Sequence, residues 1–163
     1  MIKYHALVPL KRLAGAKSRL AGLLSPQERA ELARAMAEDV LAVLLDHRAV
    51  SGITLASEDE QVRDMAEAFG VEFLLETELG SEGLNGSVAA ASEHLLAQGN
   101  EQLLVLHADL PLLRESDLTA AIDARSAAGG LLIGTDTQGQ GSNLLLFDAA
   151  SVPRFQFGIG SCG

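Results

Sequence analysis

The sequence lacks the features that would mark it as a disulfide-stabilised, zinc-thiolate or membrane protein. It has one cysteine, Cys162, which excludes an internal disulfide framework and a zinc site with four thiolate ligands. Its apolar runs are far shorter than the roughly 18 residues that a membrane span needs. Lys3, Tyr4 and His5 interrupt the amino-terminal segment where a secretory signal would be apolar. We therefore expect a cytoplasmic protein with no membrane partner.

Basic residues are also scarce. The chain has 12 Lys and Arg against 22 Asp and Glu, a formal net charge of −10. Proteins that bind nucleic acid through its phosphates need a broad basic face, so we expect no nucleic acid partner. The length of 163 residues predicts one domain over residues 1–163, and an apolar content of 48% is typical of a globular protein.

The signature motifs of several enzyme classes are absent as well. There is no G-x-x-x-x-G-K-[ST] phosphate loop and no H-E-x-x-H zinc motif. There is no G-x-S-x-G hydrolase elbow. These absences exclude the enzyme classes that depend on those motifs.

The segments that are present alternate between short apolar strands and longer helical patterns. Strands are predicted in YHALVPL, GITLAS, VEFLLE, QLLVLHADLP, LLIGTD and NLLLF, with four helices between them. This alternation is typical of βαβ units and a mostly parallel sheet, so we predict an α/β three-layer sandwich. In such folds ligands bind beyond the carboxyl ends of the strands. That rule selects segments 11–24, 80–87 and 107–111 and the turn after Asp136.

The first helix has a clear start. Ser25 can cap it, Pro26 fits its first turn, and Glu28 completes a capping box. Its spacing predicts an apolar face made of Leu32, Met36, Val40, Val43 and Leu44.

A basic segment follows the first predicted strand. The first 27 residues contain five Lys and Arg and no Asp or Glu, and four of the five are Lys11, Arg12, Lys17 and Arg19 in LVPLKRLAGAKSRL. Its glycine and alanines keep the backbone accessible, and a triphosphate needs both backbone N–H groups and cations. The alternative is a solvated basic loop. Arg29, on the first helix, is expected to lie outside this segment.

The fourth predicted strand ends in VLHADLP. A carboxylate at a strand end, here Asp109, can hold Mg²⁺ together with phosphate and water oxygens. The alternative is that Asp109 caps the turn before Pro111 and that His107 is a hydrogen-bonded core residue.

Glycine-rich segments complete the same predicted edge. The amide of Asn85 in GSEGLNGS can both donate and accept, which suits a nucleobase or ribose; a plain loop near a helix start is the alternative. Ser142 lies in TDTQGQGSN, and FGIGSCG, with Gly158 and Ser161, could form an anion nest from backbone N–H groups.

Taken in order, VPLKRLAGAKSRL, LSPQERAELARAMAEDVL, LN, VLHADLPLL, GSN and FGIGS resemble the 2-phospho-L-lactate guanylyltransferase family. The resemblance runs from Ile2 to Ser161 and includes the phosphoenolpyruvate and 3-phosphoglycerate guanylyltransferases of coenzyme F-420 biosynthesis. It implies a nucleotidyltransferase with a GT-A-like, Rossmann-type fold that uses Mg²⁺. It also implies transfer of GMP from GTP to a small phosphorylated carboxylic acid, with release of pyrophosphate.

The resemblance also implies roles for particular residues. Lys17 would contact the GTP phosphates with Lys11 and Arg12 beside it, and Asp109 would be the Mg²⁺ ligand. The phosphorylated acid would be held by Ser142, Gly158 and Ser161. Ser142 replaces the threonine usual in the family, which keeps the hydroxyl. Relative to the family the chain is short at its carboxyl end, where members continue with a late strand and a second acidic metal ligand.

Two other functions stay open at this point. One is a different nucleotidyltransferase of the same fold, such as a molybdopterin guanylyltransferase or a sugar-phosphate enzyme, although those usually carry a glycine-richer first loop. The other is a GTP-binding module without catalytic activity. The sequence leaves open the choice of acid and the oligomeric state, for which a homodimer is one option.

Overall fold

The computed structural model describes residues 1–81 and 83–157 as a six-stranded sheet with helices on both faces. The strands are β1 (Tyr4–Pro9), β2 (Val50–Ser57), β3 (Glu72–Leu75), β4 (Gln102–Leu106), β5 (Leu132–Thr135) and β6 (Ser142–Asp148). The helices are α1 (Pro26–Asp46), α2 (Gln61–Phe69), α3 (Gly83–Ala97) and α4 (Glu115–Ala128), with short 3₁₀ turns at Ser18–Leu20 and Glu76–Leu79.

The sheet order is β3-β2-β1-β4-β6-β5. The pairs of β1 with β2, β1 with β4 and β2 with β3 are parallel, whereas β6 runs antiparallel to both β4 and β5. Five strands therefore point the same way and β6 points the opposite way. The prediction of an α/β sandwich with a mostly parallel sheet is confirmed.

Two apolar cores make the three layers. One lies between the sheet and helices α1, α2 and α4, and β1 contributes Tyr4, Ala6 and Val8 to it. The other lies between the opposite face of the sheet and α3, and it includes Leu7 and Phe147. Because successive side chains of a strand point to opposite faces, β1 supplies both cores and is buried throughout.

The start of α1 follows its predicted chemistry. The Ser25 hydroxyl accepts the Glu28 backbone N–H at 3.2 Å, and the Glu28 carboxylate accepts the Ser25 N–H at 2.7 Å. The predicted apolar face is wrong in part, because Leu32 is 36% exposed. The buried face consists of Ala33, Ala37, Val40, Leu41 and Leu44.

No helix among the described residues combines the length and apolar content needed to cross a bilayer.

Candidate active site

The candidate site lies along the edge where the parallel strands end. The segments after β1, β2, β3 and β4 emerge there, and β6 begins there because it runs the other way: the His107 N–H, just after β4, donates to the Asn143 carbonyl at 3.1 Å. The fold thus brings the basic segment, Asp109 and Ser142 to one edge, as the sequence predicts.

The basic segment forms a compact turn rather than an extended loop. Gly15 (φ 83°) and Lys17 (φ 52°) are both in the left-handed region. This backbone is uncommon for a residue with a Cβ and is found at sites where the surrounding structure holds it in place. Lys17 immediately precedes the 3₁₀ turn at Ser18–Leu20.

Two carboxylates just after β2 bind the start of the basic segment. The Leu13 N–H donates to the Asp59 carboxylate at 3.1 Å, and the Arg12 guanidinium pairs with Glu58 at 3.2 Å. Both partners of the Arg12 pair are largely exposed. Arg12 therefore lies at the predicted edge but points to a neighbouring carboxylate.

Arg29 is a site residue that the sequence did not reveal. Its Nε donates to the Ala16 carbonyl and its Nη1 to the Leu24 carbonyl, each at 3.2 Å. The expectation that Arg29 lies outside the basic segment is wrong. A guanidinium has several donors in a rigid fork, so one side chain can fasten both ends of the turn. An arginine one turn into a helix that follows a loop rich in free carbonyls is a weak sequence signal for such a role.

Lys17 and Asp109 meet in space although 92 positions separate them. The Lys17 ammonium lies 3.2 Å from the Asp109 carboxylate, and the two side chains are 25% and 58% exposed. The predicted cation and the predicted metal ligand are therefore immediate neighbours. An ammonium and a carboxylate placed together at an open strand edge can engage phosphate oxygens and a cation at the same point.

His107 connects Asp109 to the start of β6. Its pKa lies below the ordinary value, mainly because burial disfavours the imidazolium; the Asp109 carboxylate opposes this effect, and the Lys11 ammonium adds to it. The ring also forms a hydrogen bond with the backbone of Ser142. At neutral pH the imidazole is therefore neutral and acts as a structural link.

Glu76, just after β3, is a partly buried carboxylate whose pKa responds to Lys11. Partial burial raises the pKa of Glu76, while its hydrogen bond from the Ser87 hydroxyl, at 2.9 Å, and the Lys11 charge act in the opposite direction. The Lys11 charge thus acts on the pKa values of both Glu76 and His107.

Asn85 lies in the first turn of α3, and its side chain is already engaged. Its Oδ1 accepts the Phe157 backbone N–H at 2.6 Å. Phe157 is the last described residue, and the two other predicted residues of this region, Gly158 and Ser161, lie outside the described part of the chain.

Ser142 is buried, with 8% exposure, at the first position of β6. A tight turn precedes it, in which Asp136 accepts the backbone N–H groups of Gln138, Gln140 and Gly141 at 3.0 to 3.1 Å. These hydrogen bonds lower the pKa of Asp136. The turn delivers Ser142 to the same edge as Asp109.

A metal ion would find a limited set of ligands here. Within residues 1–81 and 83–157, no three His, Cys, Asp or Glu side chains are grouped closely enough to hold one. Mg²⁺ bound together with substrate phosphates needs only one or two protein carboxylates. Asp109, exposed at a strand end, fits one such position.

Three comparisons relate this geometry to known proteins. The family model described as "Guanylyl transferase CofC like" matches residues 4–162. A phosphoenolpyruvate guanylyltransferase of Nocardia farcinica is 39% identical over 87% of this chain and 63% of its own length. A 2-phospho-L-lactate guanylyltransferase of Methanothermobacter thermautotrophicus is 32% identical over 89% of this chain and 62% of its own length. The chain thus spans less than two thirds of either relative.

The fold has a similar counterpart among solved structures. A protein from Desulfovibrio desulfuricans G20, described as a nucleotide-diphospho-sugar transferase, superposes with a TM-score of 0.75 at 18% identity. The match covers 94% of this chain and 67% of that one. At this identity the comparison establishes the shared fold alone.

Proposed function

Because the chain belongs to the guanylyl transferase CofC-like family, we propose that it transfers GMP from GTP to a small phosphorylated carboxylic acid. A phosphate oxygen of the acid attacks the α-phosphorus of GTP, the bond from that phosphorus to the bridging oxygen breaks, and pyrophosphate leaves. The acid is 2-phospho-L-lactate, phosphoenolpyruvate or 3-phosphoglycerate, and the product serves deazaflavin coenzyme F-420 biosynthesis.

The observation that carries this proposal is the 3.2 Å approach of Lys17 to Asp109. No bond to the protein is required, so positioning and charge stabilisation supply the catalysis. Lys17 turns from Asp109 to the GTP phosphates, and Lys11 and Arg12 add positive charge beside it. Ser142, Gly158 and Ser161 bind the acid, and the role that the sequence predicts for Asn85 is contact with the nucleoside.

Asp109 is the residue proposed to hold Mg²⁺. When bound, the ion would offset negative charge on the phosphates of GTP. The Lys17 ammonium neutralises Asp109 in the unbound protein, so the carboxylate is not left as an uncompensated charge.

Pyrophosphate release in mixtures of GTP, Mg²⁺ and each of the three acids tests the proposal. No release with any acid would contradict it. The variant Asp109→Asn keeps the size of the side chain and removes its charge, so turnover should fall at least ~100-fold, about 2.7 kcal/mol of barrier, with folding little changed. Undiminished turnover in this variant would return Asp109 to the role of a turn cap.

A further inference from the structure

The segment after β6 returns to the candidate site and is held there at two points. The Phe157 N–H donates to Asn85 Oδ1 at 2.6 Å. The Phe157 ring packs edge-on against His107, with ring centroids 4.8 Å apart at 88°. Phe155 stacks on Phe157 and also contacts Phe147 of β6, so both rings are packed against the α3 core.

His107 links Phe157 to Ser142 in the candidate site. Its ring, which Phe157 contacts, forms a hydrogen bond with the backbone of Ser142. Its backbone N–H is bonded to the Asn143 carbonyl. A displacement of Phe157 would therefore remove the packing that keeps the ring of His107 against Ser142.

We propose that Asn85 is a positioning residue for the phosphorylated acid. Its side-chain oxygen fastens Phe157, Phe157 fixes the ring of His107, and His107 fixes the backbone at Ser142. The inference rests on the proposed function, in which Ser142 contacts the acid. It gives Asn85 a role that differs from contact with the nucleobase.

The two roles of Asn85 predict different kinetics. As a positioning residue, Asn85 acts through its acceptor oxygen and controls KM for the acid. As a nucleobase contact, it controls KM for GTP. Loss of one such hydrogen bond in Asn85→Ala should raise KM for the acid about tenfold and KM for GTP less than about twofold.

Asn100 supplies a matched control at the other end of α3. Its side chain donates to the Leu95 carbonyl at 2.9 Å, so Asn100→Ala also removes one hydrogen bond from this region. That variant should leave both KM values near those of the unmodified chain. A rise in KM for GTP in Asn85→Ala, with KM for the acid unchanged, would overturn the proposal.

The attachment itself can be measured without turnover. The sequence has no tryptophan, so Phe157→Trp introduces a single fluorescent indole beside His107. Adding Asn85→Ala should shift its emission to longer wavelength, as the ring leaves the core for water. Adding Asn85→Asp, which keeps the acceptor oxygen, should not.

Each failure has a distinct signature. Absence of pyrophosphate with every acid in the unmodified chain would contradict the proposed function. In that case two measurements still decide the role of Asn85. They are the tryptophan emission of the Phe157→Trp variants and acid binding by calorimetry. Emission that is unchanged by Asn85→Ala, or that shifts without weaker acid binding, would overturn the proposal. Should Phe157→Trp not fold, the same test applies with Phe155→Trp, which reports on the same segment.

Discussion

At the scale of single residues, replacing Lys17 distinguishes a basic segment that binds phosphate from one that is only solvated. An exposed ion pair contributes under ~1 kcal/mol to folding, so Lys17→Ala should leave the melting temperature almost unchanged. Facing several phosphate oxygens in a water-poor site, the same ammonium contributes of order 2–4 kcal/mol to the transition state. We therefore expect weaker GTP binding and much slower pyrophosphate release, measured by calorimetry and a coupled assay.

The control for this prediction is Arg48→Ala. Arg48 is exposed just before β2, at the opposite edge of the sheet, and its loss removes the same unit of charge. If both variants weakened GTP binding equally, net charge alone would explain the effect and the basic turn would have no specific role.

Arg29 should act on the same turn through its backbone. Arg29→Ala leaves the carbonyls of Ala16 and Leu24 without these donors, and each lost hydrogen bond is worth about 1 kcal/mol. The two losses together, about 2 kcal/mol, should make trypsin cleavage within the turn about 30-fold faster, because cleavage reports the population of the locally open state. Arg29→Lys should not restore protection, since a single ammonium lacks the planar fork that spans two carbonyls.

Arg34 offers the comparison for this experiment. It lies farther along α1 and pairs with Glu38 at 3.1 Å, on the helix surface. Arg34→Ala should leave cleavage of the turn at its normal rate. Equal acceleration in both variants would show that α1 as a whole, and not the Arg29 fork, protects the turn.

The sequence identifies individual functional residues better than it identifies the residues that they contact. Lys17 and Asp109 were predicted separately from local patterns, and their meeting follows from the parallel order of β1 and β4. The role of Arg29 depends on which way the carbonyls of Ala16 and Leu24 point, and a local pattern of residue types does not give that direction. The partner of Asn85 lies 72 positions away, and no local pattern encodes such a contact.

At the scale of elements, a buried arginine joins α4 to both β1 and β6. Arg125 is 4% exposed and donates to the Tyr4 hydroxyl at 3.2 Å and to the Asp148 carboxylate at 3.0 Å. Removing one partner of a buried pair leaves the other uncompensated, at a cost of about 3–5 kcal/mol. Asp148 is 32% exposed, so water partly compensates it, and we expect Arg125→Met to lower the free energy of unfolding in urea by about 2–3 kcal/mol.

Arg63 provides the matched exposed pair. It bonds Glu60 at 2.8 Å on the surface of α2, and such exposed i,i+3 pairs contribute little to stability. Arg63→Met should therefore have a small effect. A similar loss in the two variants would mean that the contact of Arg125 with β1 and β6 contributes nothing beyond a surface pair.

The type and order of the elements follow from the sequence. The buried face of a helix and the direction of a strand follow from it only in part. The sequence predicts all six strands and four helices of the described residues, because short apolar runs alternate with longer helical patterns. The face of α1 was misjudged because Ala33 and Ala37, not the larger Leu32, allow the helix to approach the sheet closely. The antiparallel direction of β6 depends on the turn organised by Asp136, which a pattern of apolar residues does not encode.

At the scale of the whole molecule, the net charge of −10 opposes the anion that the site is proposed to bind. Lys17 pairs with Asp109 and Arg12 with Glu58, so much of the local positive charge is neutralised in the unbound protein. The long-range field is therefore set by the acidic surface. Screening shortens its reach from ~30 Å at 0.01 M salt to ~10 Å at 0.1 M.

Moderate salt should therefore favour GTP binding. At fixed Mg²⁺, we expect the Kd for GTP to be about two- to threefold lower at 0.1 M NaCl than at 0.01 M, since screening removes distant repulsion but acts weakly on contacts of a few ångströms. Asp46 and Glu101 are exposed residues at the opposite edge of the sheet. Combining Asp46→Asn with Glu101→Gln should reduce the salt effect without touching the site. A Kd that rises steadily from 0.01 M, as for proteins that bind nucleic acid, would instead show that the basic turn dominates the field.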